Sequence, residues 1–209
     1  ESDEQLSQYP VVLLGHSWGA FAVTAGLNYT HHKVQAVCSM SGFHKPTEVA
    51  MDTVVATVGR IGKMVYPYVT LVQYMTFGKQ SNLTAVEGIN KKDIPVLITH
   101  ANQDEFIHYD ISSIISHRNE ITNPKVKYIT ITAEGRNGHN TFFANEQAAE
   151  YNAKSEKQYQ ELKVEYGLNI PNDIMKEFLD GVDFDIATQP NVELLDQIDM
   201  FYSKELVHL

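Results

Sequence analysis

The sequence has a single cysteine among its 209 residues, so no disulfide can form within the chain. That residue, Cys38, falls in the apolar run Val34 to Met40, where a small buried thiol is expected. Basic charge is also scarce: 16 Lys and Arg stand against 26 Asp and Glu, a formal net charge of −10. A partner held through phosphates calls for clustered Lys and Arg, so nucleic acid is not expected as a ligand. No stretch reaches the roughly 18 to 20 uninterrupted apolar residues of a membrane span. The most hydrophobic region, Val49 to Phe77, is broken by Asp52, Arg60 and Lys63. The opening residues, Glu1 to Gln8, are polar and lack the basic-then-apolar pattern of a secretion signal. A soluble protein is expected; its compartment stays open, with the cytoplasm favoured. Without secretion, the triplets Asn28-Tyr29-Thr30 and Asn82-Leu83-Thr84 carry no weight as glycosylation acceptors.

What is present is an ordinary globular composition, 43% hydrophobic and 20% charged, with enough length for one buried core. After Pro10, Val11 to Leu14 is wholly apolar, the pattern of a strand covered on both faces in a parallel sheet. Gly15 to Gly19 ends it, and Trp18 to Tyr29 reads as a helix whose small residues would let it lie close to a sheet. Three more strands are expected: Val34 to Met40, Val96 to His100 behind Pro95, and Val126 to Ala133. Strands alternating with helical segments imply an α/β protein, a mostly parallel sheet flanked by helices with right-handed crossovers.

Two stretches exceed what crossovers need. Residues 44–93 read as a helical insertion: Val54, Val58, Ile61, Met64 and Val65 recur at helical spacing, and Tyr66, Pro67 and Tyr68 interrupt them. Residues 140–209 read as a C-terminal helical region, with a charged helix around Glu146 to Tyr166, another led by Pro171 to about Leu179, and an amphipathic one begun by Pro190. In the last, Val192, Leu195, Ile198, Tyr202 and Leu206 form the stripe expected to pack on the sheet. The whole chain, 1–209, is read as one catalytic portion carrying these two segments.

Gly15-His16-Ser17-Trp18-Gly19 is a G-x-S-x-G sequence between an apolar strand and a small-residue helix, the context of a nucleophile elbow. A serine on so sharp a turn has strained backbone angles, and Gly15 and Gly19 are expected to leave it room. The helix then aims its first amides at the reacting carbonyl, and the Trp18 N–H is the expected oxyanion donor. A hydroxyl needs a base, and the base an orienting acid. Asp104 lies just past the third strand and His139 just past the fourth, both at the carboxyl edge where open parallel sheets bind ligands. A helix cap is the competing role for Asp104, and Glu105 is its nearest rival as the acid. Among the other histidines, His16 is expected to point away and to pack or bond locally, and His31 and His32 to sit in a surface turn. His44, His100 and His108 are expected near the cleft, His117 and His208 on helical surface segments. No pair of histidines shows i, i+4 spacing beside a carboxylate, so no metal is expected.

On these residues the chain resembles an α/β-hydrolase fold enzyme: strand, Gly-His-Ser-Trp-Gly and helix, then Pro-Val-Leu-Ile-Thr-His-Ala-Asn-Gln-Asp, then Gly-His-Asn. The resemblance implies acyl transfer to Ser17 followed by hydrolysis, with Asp104 and His139 completing the triad and no cofactor. It also implies that 44–93 is a cap over the site. Members of that family carry several strands and a His-Gly oxyanion loop ahead of the elbow. Only ten residues precede the first strand here, so a partial α/β-hydrolase fold, the catalytic half, is expected. A serine hydrolase of ester, thioester or amide bonds is the leading expectation. An acyltransferase using the same triad and a non-catalytic binding module of the same fold are the alternatives. Met51, Met64, Met75, Tyr66, Tyr68, Tyr74 and Phe77 suggest an apolar pocket for a small-molecule acyl substrate with a hydrophobic or aromatic part. The strand Val11 to Leu14, lacking a neighbour, is expected to pair two copies as an antiparallel homodimer.

Overall fold

The computed structural model describes residues 9–29 and 33–206. The polar opening segment, His31, His32 and His208 lie outside those residues. Four strands, β1 (Val11–His16), β2 (Val34–Met40), β3 (Val96–Ala101) and β4 (Val126–Ile131), form one parallel sheet in the order β1-β2-β3-β4. Its register runs Leu14–Cys38–Leu97–Lys127 across the four strands. Because side chains alternate along a strand, β2 sends Ala36, Cys38 and Met40 to one face and Val37 to the other.

Each face is covered by its own layer. Val37, Val96 and Ile98 pack with Leu27, with Ala85 and Ile89 of α4 (Ala85–Lys91), and with Ile114 and Ile115. On this side α1 (Trp18–Ala25) lies tightly against α4: a Cβ on Gly88 would stand 2.1 Å from the Thr24 carbonyl oxygen. The helix read over Trp18 to Tyr29 thus ends early, its last turn tightening into a 3₁₀ segment at Gly26–Asn28. On the opposite face Ala36, Cys38, Met40 and Leu97 meet Phe142 and the C-terminal helix.

Residues 44–93 form several helices that divide between two places. The first part forms α2 (Pro46–Val58) and α3 (Tyr66–Phe77), joined by a 3₁₀ stretch and stopped by Gly59 and Gly78, both at positive φ. Pro67 stands in the first turn of α3, where its missing N–H costs nothing. No residue of α3 is buried. The remainder, α4, belongs to the sheet-covering layer.

The C-terminal region holds α5 (Glu146–Tyr166), α6 (Asn172–Asp180), a short α7 (Phe184–Ala187) and α8 (Val192–Leu206). The packing stripe of α8 differs from the expected one. Val192 and Leu195 face outward, while Leu194, Ile198 and Phe201 are buried against the sheet with Tyr202 beside them. Both stripes satisfy helical spacing, and docking chooses between them. The Tyr202 hydroxyl donates to the Leu13 carbonyl at 2.7 Å and sets the helix rotation. The Leu206 side chain lies outside the described atoms.

The expected two-sided cover of β1 is also incomplete. Among the described residues it forms one edge of the sheet, pairs only with β2, and leaves Val12 and Leu14 exposed on the same face. Among the described residues no helix is long and apolar enough to cross a membrane.

Candidate active site

In a parallel sheet every strand delivers its following loop to the same edge, so residues after β1, β3 and β4 converge despite wide separation in sequence. Ser17 sits between β1 and α1 with φ 56° and ψ −119°, a positive φ that side-chain-bearing residues rarely adopt. Its N–H donates to the Met40 carbonyl at 2.9 Å, which holds the turn to the end of β2. The turn is tight enough that a Cβ on Gly15 would lie 2.2 Å from the Gly19 carbonyl oxygen. Gly19 itself has open space where its Cβ would be, so only Gly15 is required sterically.

The structure brings the three sequence-selected side chains into one row. With its Nδ1 proton donated to Asp104 Oδ2 at 2.8 Å, His139 turns Nε2 to accept from the Ser17 hydroxyl at 3.0 Å. Asp104 is almost fully buried and takes four hydrogen bonds. Its Oδ1 accepts from the Phe106 and Ile107 amides at 3.0 and 2.8 Å, and Oδ2 is shared between His139 and His100 Nε2, the latter at 3.2 Å. Burial alone would push the Asp104 carboxyl up. The donors on it, His100 and His139 foremost, outweigh that and hold it well below the usual carboxylate range. Asp104 is therefore both the turn cap of its loop and the partner of His139.

The loop bearing His139 is fastened at several points. Glu105 Oε2 accepts the His139 N–H at 3.0 Å, the Gly138 N–H reaches Thr141 Oγ1 at 2.9 Å, and the Asn137 amide donates to Asn102 Oδ1 at 2.9 Å. His16 packs and bonds, but against the His139 segment rather than within its own turn. Its Nε2–H donates to the His139 carbonyl at 3.1 Å and its ring lies 4.7 Å from the His139 ring, with Phe143 against its other side. Burial moves the His16 pKa down, which keeps this ring neutral beside His139.

A cavity of about 480 Å³ opens over Ser17 and His139, walled by Trp18, Phe43, Phe106 and, from α2, Val49 and Thr53. A second, more apolar cavity of about 320 Å³ shares Trp18 as a wall and lies between α1 and residues 77–83, lined by Phe21, Ala22, Tyr29, Phe77 and Leu83. Of the apolar residues expected to make the pocket, only Phe77 lines it. Tyr68 and Met75 project outward because α3 offers no buried face, and Met64, in the 3₁₀ stretch before α3, is exposed as well. Trp18 opens α1, so its backbone N–H is among the helix-start amides that have no acceptor within the helix.

Three histidines expected near the cleft stand elsewhere. His100 is fully buried behind Asp104 and also donates to the Ile107 carbonyl at 2.9 Å. His108 donates to Asp52 Oδ2 at 2.7 Å and so ties α2 to the body of the protein. His44 stacks on His117, ring centroids 3.9 Å apart, and with Glu48 these make a group able to hold a metal ion. His117 was expected to be an idle surface residue, and that cluster joins positions too far apart in sequence for spacing to reveal. Two local signals were readable, His100 four residues before Asp104 and His44 four residues before Glu48.

An α/β protein with serine, histidine and aspartate in one hydrogen-bonded row at the carboxyl edge of a parallel sheet is the class this geometry defines. No protein-family model and no curated protein sequence matches the chain. Among solved structures it is similar to an esterase of Pyrococcus furiosus, at 16% identity and TM-score 0.40, covering 65% of this chain and 50% of that one. It is similar likewise to the esterase domain of a Rhodothermus marinus protein, at 16% and 0.40, covering 65% and 54%. A third is an α/β fold family hydrolase from Bacillus anthracis, at 13% and 0.43, covering 66% and 64%. The chain thus spans about half the length of the two esterases.

Proposed function

We propose that the protein is a serine hydrolase of ester, thioester or amide bonds, acting through an acyl-Ser17 intermediate. The observation that carries this reading is the continuous row from Ser17 Oγ through His139 to Asp104, at 3.0 and 2.8 Å. As Ser17 Oγ attacks the substrate carbonyl carbon, His139 Nε2 takes the hydroxyl proton, and Asp104 stabilises the imidazolium that forms. The oxyanion of the tetrahedral intermediate accepts from the Trp18 N–H at the start of α1. The intermediate collapses as His139 returns the proton to the departing oxygen, sulfur or nitrogen. Water, deprotonated by the same nitrogen, then attacks the acyl carbon, and its proton passes through His139 to Ser17 Oγ.

The substrate class follows from the walls. The cavity over Ser17 is bounded mainly by Phe43, Phe106, Val49 and Trp18, and the neighbouring one by Phe21, Tyr29, Phe77 and Leu83, with no Asp, Glu, Lys or Arg lining either. A small acyl compound with an aliphatic or aromatic part fits such surfaces better than a charged one.

The test is reaction with a fluorophosphonate, which phosphonylates an activated serine without needing a full catalytic cycle. Peptide mass spectrometry should place the label on Ser17, with none in Ser17→Ala. An unlabelled Ser17 in folded protein would refute the assignment and favour a binding role for the same cavity.

A further inference from the structure

We propose that His44, Glu48 and His117 form a binding site for a late first-row divalent cation, Zn²⁺ foremost, that staples α2 to the body of the protein. The three come from separate segments: His44 from the loop after β2, Glu48 from the first turn of α2, and His117 from the 3₁₀ turn Ile115–Glu120. One ring nitrogen of each histidine and one Glu48 oxygen all lie within 4.8 Å of one another. None of them belongs to the row at Ser17.

The hydrogen bonding around the cluster is what asks for an ion. His44 is 8% exposed, and its buried Nδ1 has no hydrogen-bond partner. An imidazole presents one lone-pair nitrogen for coordination. His117 places Nδ1 2.8 Å from Glu120 Oε1 and Nε2 3.2 Å from Glu48 Oε2. With Nδ1–H donated to Glu120, a neutral His117 would turn a lone pair towards a carboxylate oxygen, acceptor against acceptor. Either a second proton or a cation must stand between them. A carboxylate holding the far N–H of an imidazole is the usual outer partner of a metal-bound histidine, and it fixes the tautomer that coordinates.

The donor set decides the class of ion. Two imidazoles and a carboxylate, with Glu120 behind, suit Zn²⁺, Co²⁺ or Ni²⁺, whereas Ca²⁺ and Mg²⁺ prefer oxygens alone. Ionised Glu48 and Glu120 provide two negative charges, opposed nearby by Lys45. Tetrahedral Zn²⁺ with bonds of about 2.0 to 2.2 Å brings its ligand atoms to roughly 3.3 Å from each other. Binding therefore draws the set together: the stacked rings splay from their 23° tilt, and Glu48 exchanges its contact with His117 for the metal. The next residue, Val49, and Thr53 one turn on line the cavity over Ser17. Fixing Glu48 thus fixes the wall of that cavity.

Calorimetric titration of the metal-stripped protein with ZnCl₂ tests this independently of any hydrolytic activity. One equivalent should bind. The melting temperature should rise by about 5 to 10 °C at a hundredfold excess over Kd. His117→Asn and Glu48→Gln, at partly exposed positions, should each weaken binding roughly tenfold or more, and Glu120→Gln by about tenfold. Folding of each variant is checked by circular dichroism. Absence of stoichiometric Zn²⁺ binding would overturn the proposal. So would unchanged affinity in folded His117→Asn and Glu48→Gln, which would place the ion on other residues.

Discussion

Asp104→Asn is the most informative single perturbation, because the structure dictates how the asparagine must sit. The carboxylate receives four donors, two amides on Oδ1 and two imidazoles on Oδ2. Asparagine has one oxygen to offer. If that oxygen keeps the Phe106 and Ile107 amides, the NH₂ group faces His139 and His100, donor against donor. His139 escapes by moving its proton to Nε2 so that Nδ1 accepts, and it then presents N–H to Ser17 and cannot take the hydroxyl proton. If the amide flips, the two backbone N–H groups lose their acceptor and the turn after β3 opens. The first arrangement should prevail, since it leaves only one poor contact: His100 retains the Ile107 carbonyl at 2.9 Å. A wrong tautomer lowers turnover by about 10⁴, equivalent to about 5.4 kcal/mol at 1.36 kcal/mol per tenfold. The fold should lose much less, about 1 to 3 kcal/mol for the mispaired buried donor, or roughly 2 to 12 °C in melting temperature at this size. The rate of phosphonylation reads the first effect and a thermal melt the second. A folded Asp104→Asn that reacts within tenfold of the parent would refute the argument, and a variant that fails to fold would mean that the flipped arrangement prevails.

Three further outcomes follow from the same contacts. Glu105→Ala should slow phosphonylation by roughly tenfold, because the His139 N–H loses its acceptor, whereas Glu105→Gln keeps an oxygen there and should be mild; equal behaviour of the two would remove Glu105 from the positioning of His139. Cys38 is fully buried, and desolvation pushes its thiol up from 9.0 to about 12. The native thiol should resist an aromatic disulfide reagent at pH 8 until the protein unfolds. Its contribution to stability should be intact below pH 9 and be lost as the pH rises towards 12, a loss that Cys38→Ala should abolish. Pairing of two copies through the edge of β1 predicts twice the mass of one chain in light scattering, reduced to a single mass by Val12→Lys; a concentration-independent monomer in the parent would refute it.

What was readable in the sequence was local chemistry combined with one global rule. The strand, glycine turn and small-residue helix around Ser17 are specified within about twenty residues, and Asp104 and His139 follow because a parallel sheet sends its loops to one edge. The misreadings all concern depth. α8 carries two apolar stripes of equal periodicity, and only docking, fixed by Tyr202 on Leu13, selects Leu194, Ile198 and Phe201. The insertion divides because Ala85 and Ile89 find the sheet layer while the apolar residues of α3 find no cover, a distinction composition does not carry.

The histidines show the same limit most sharply. Ranked by distance from a strand end, His100 and His139 look alike, and yet one is buried as a donor to Asp104 and the other reaches Ser17. The difference lies in the strand: every residue of β3 is buried, so His100, its fifth, has no route to solvent, and its Nε2 is satisfied from within while Nδ1 has no partner. The nearest acceptors are those its own chain supplies a few residues on, Asp104 and Ile107. A polar residue inside a fully buried strand is thus itself a pointer to a partner in the loop that follows. Here that loop also carries Asp104, so the residue packed behind the loop also bears on the carboxylate that holds His139.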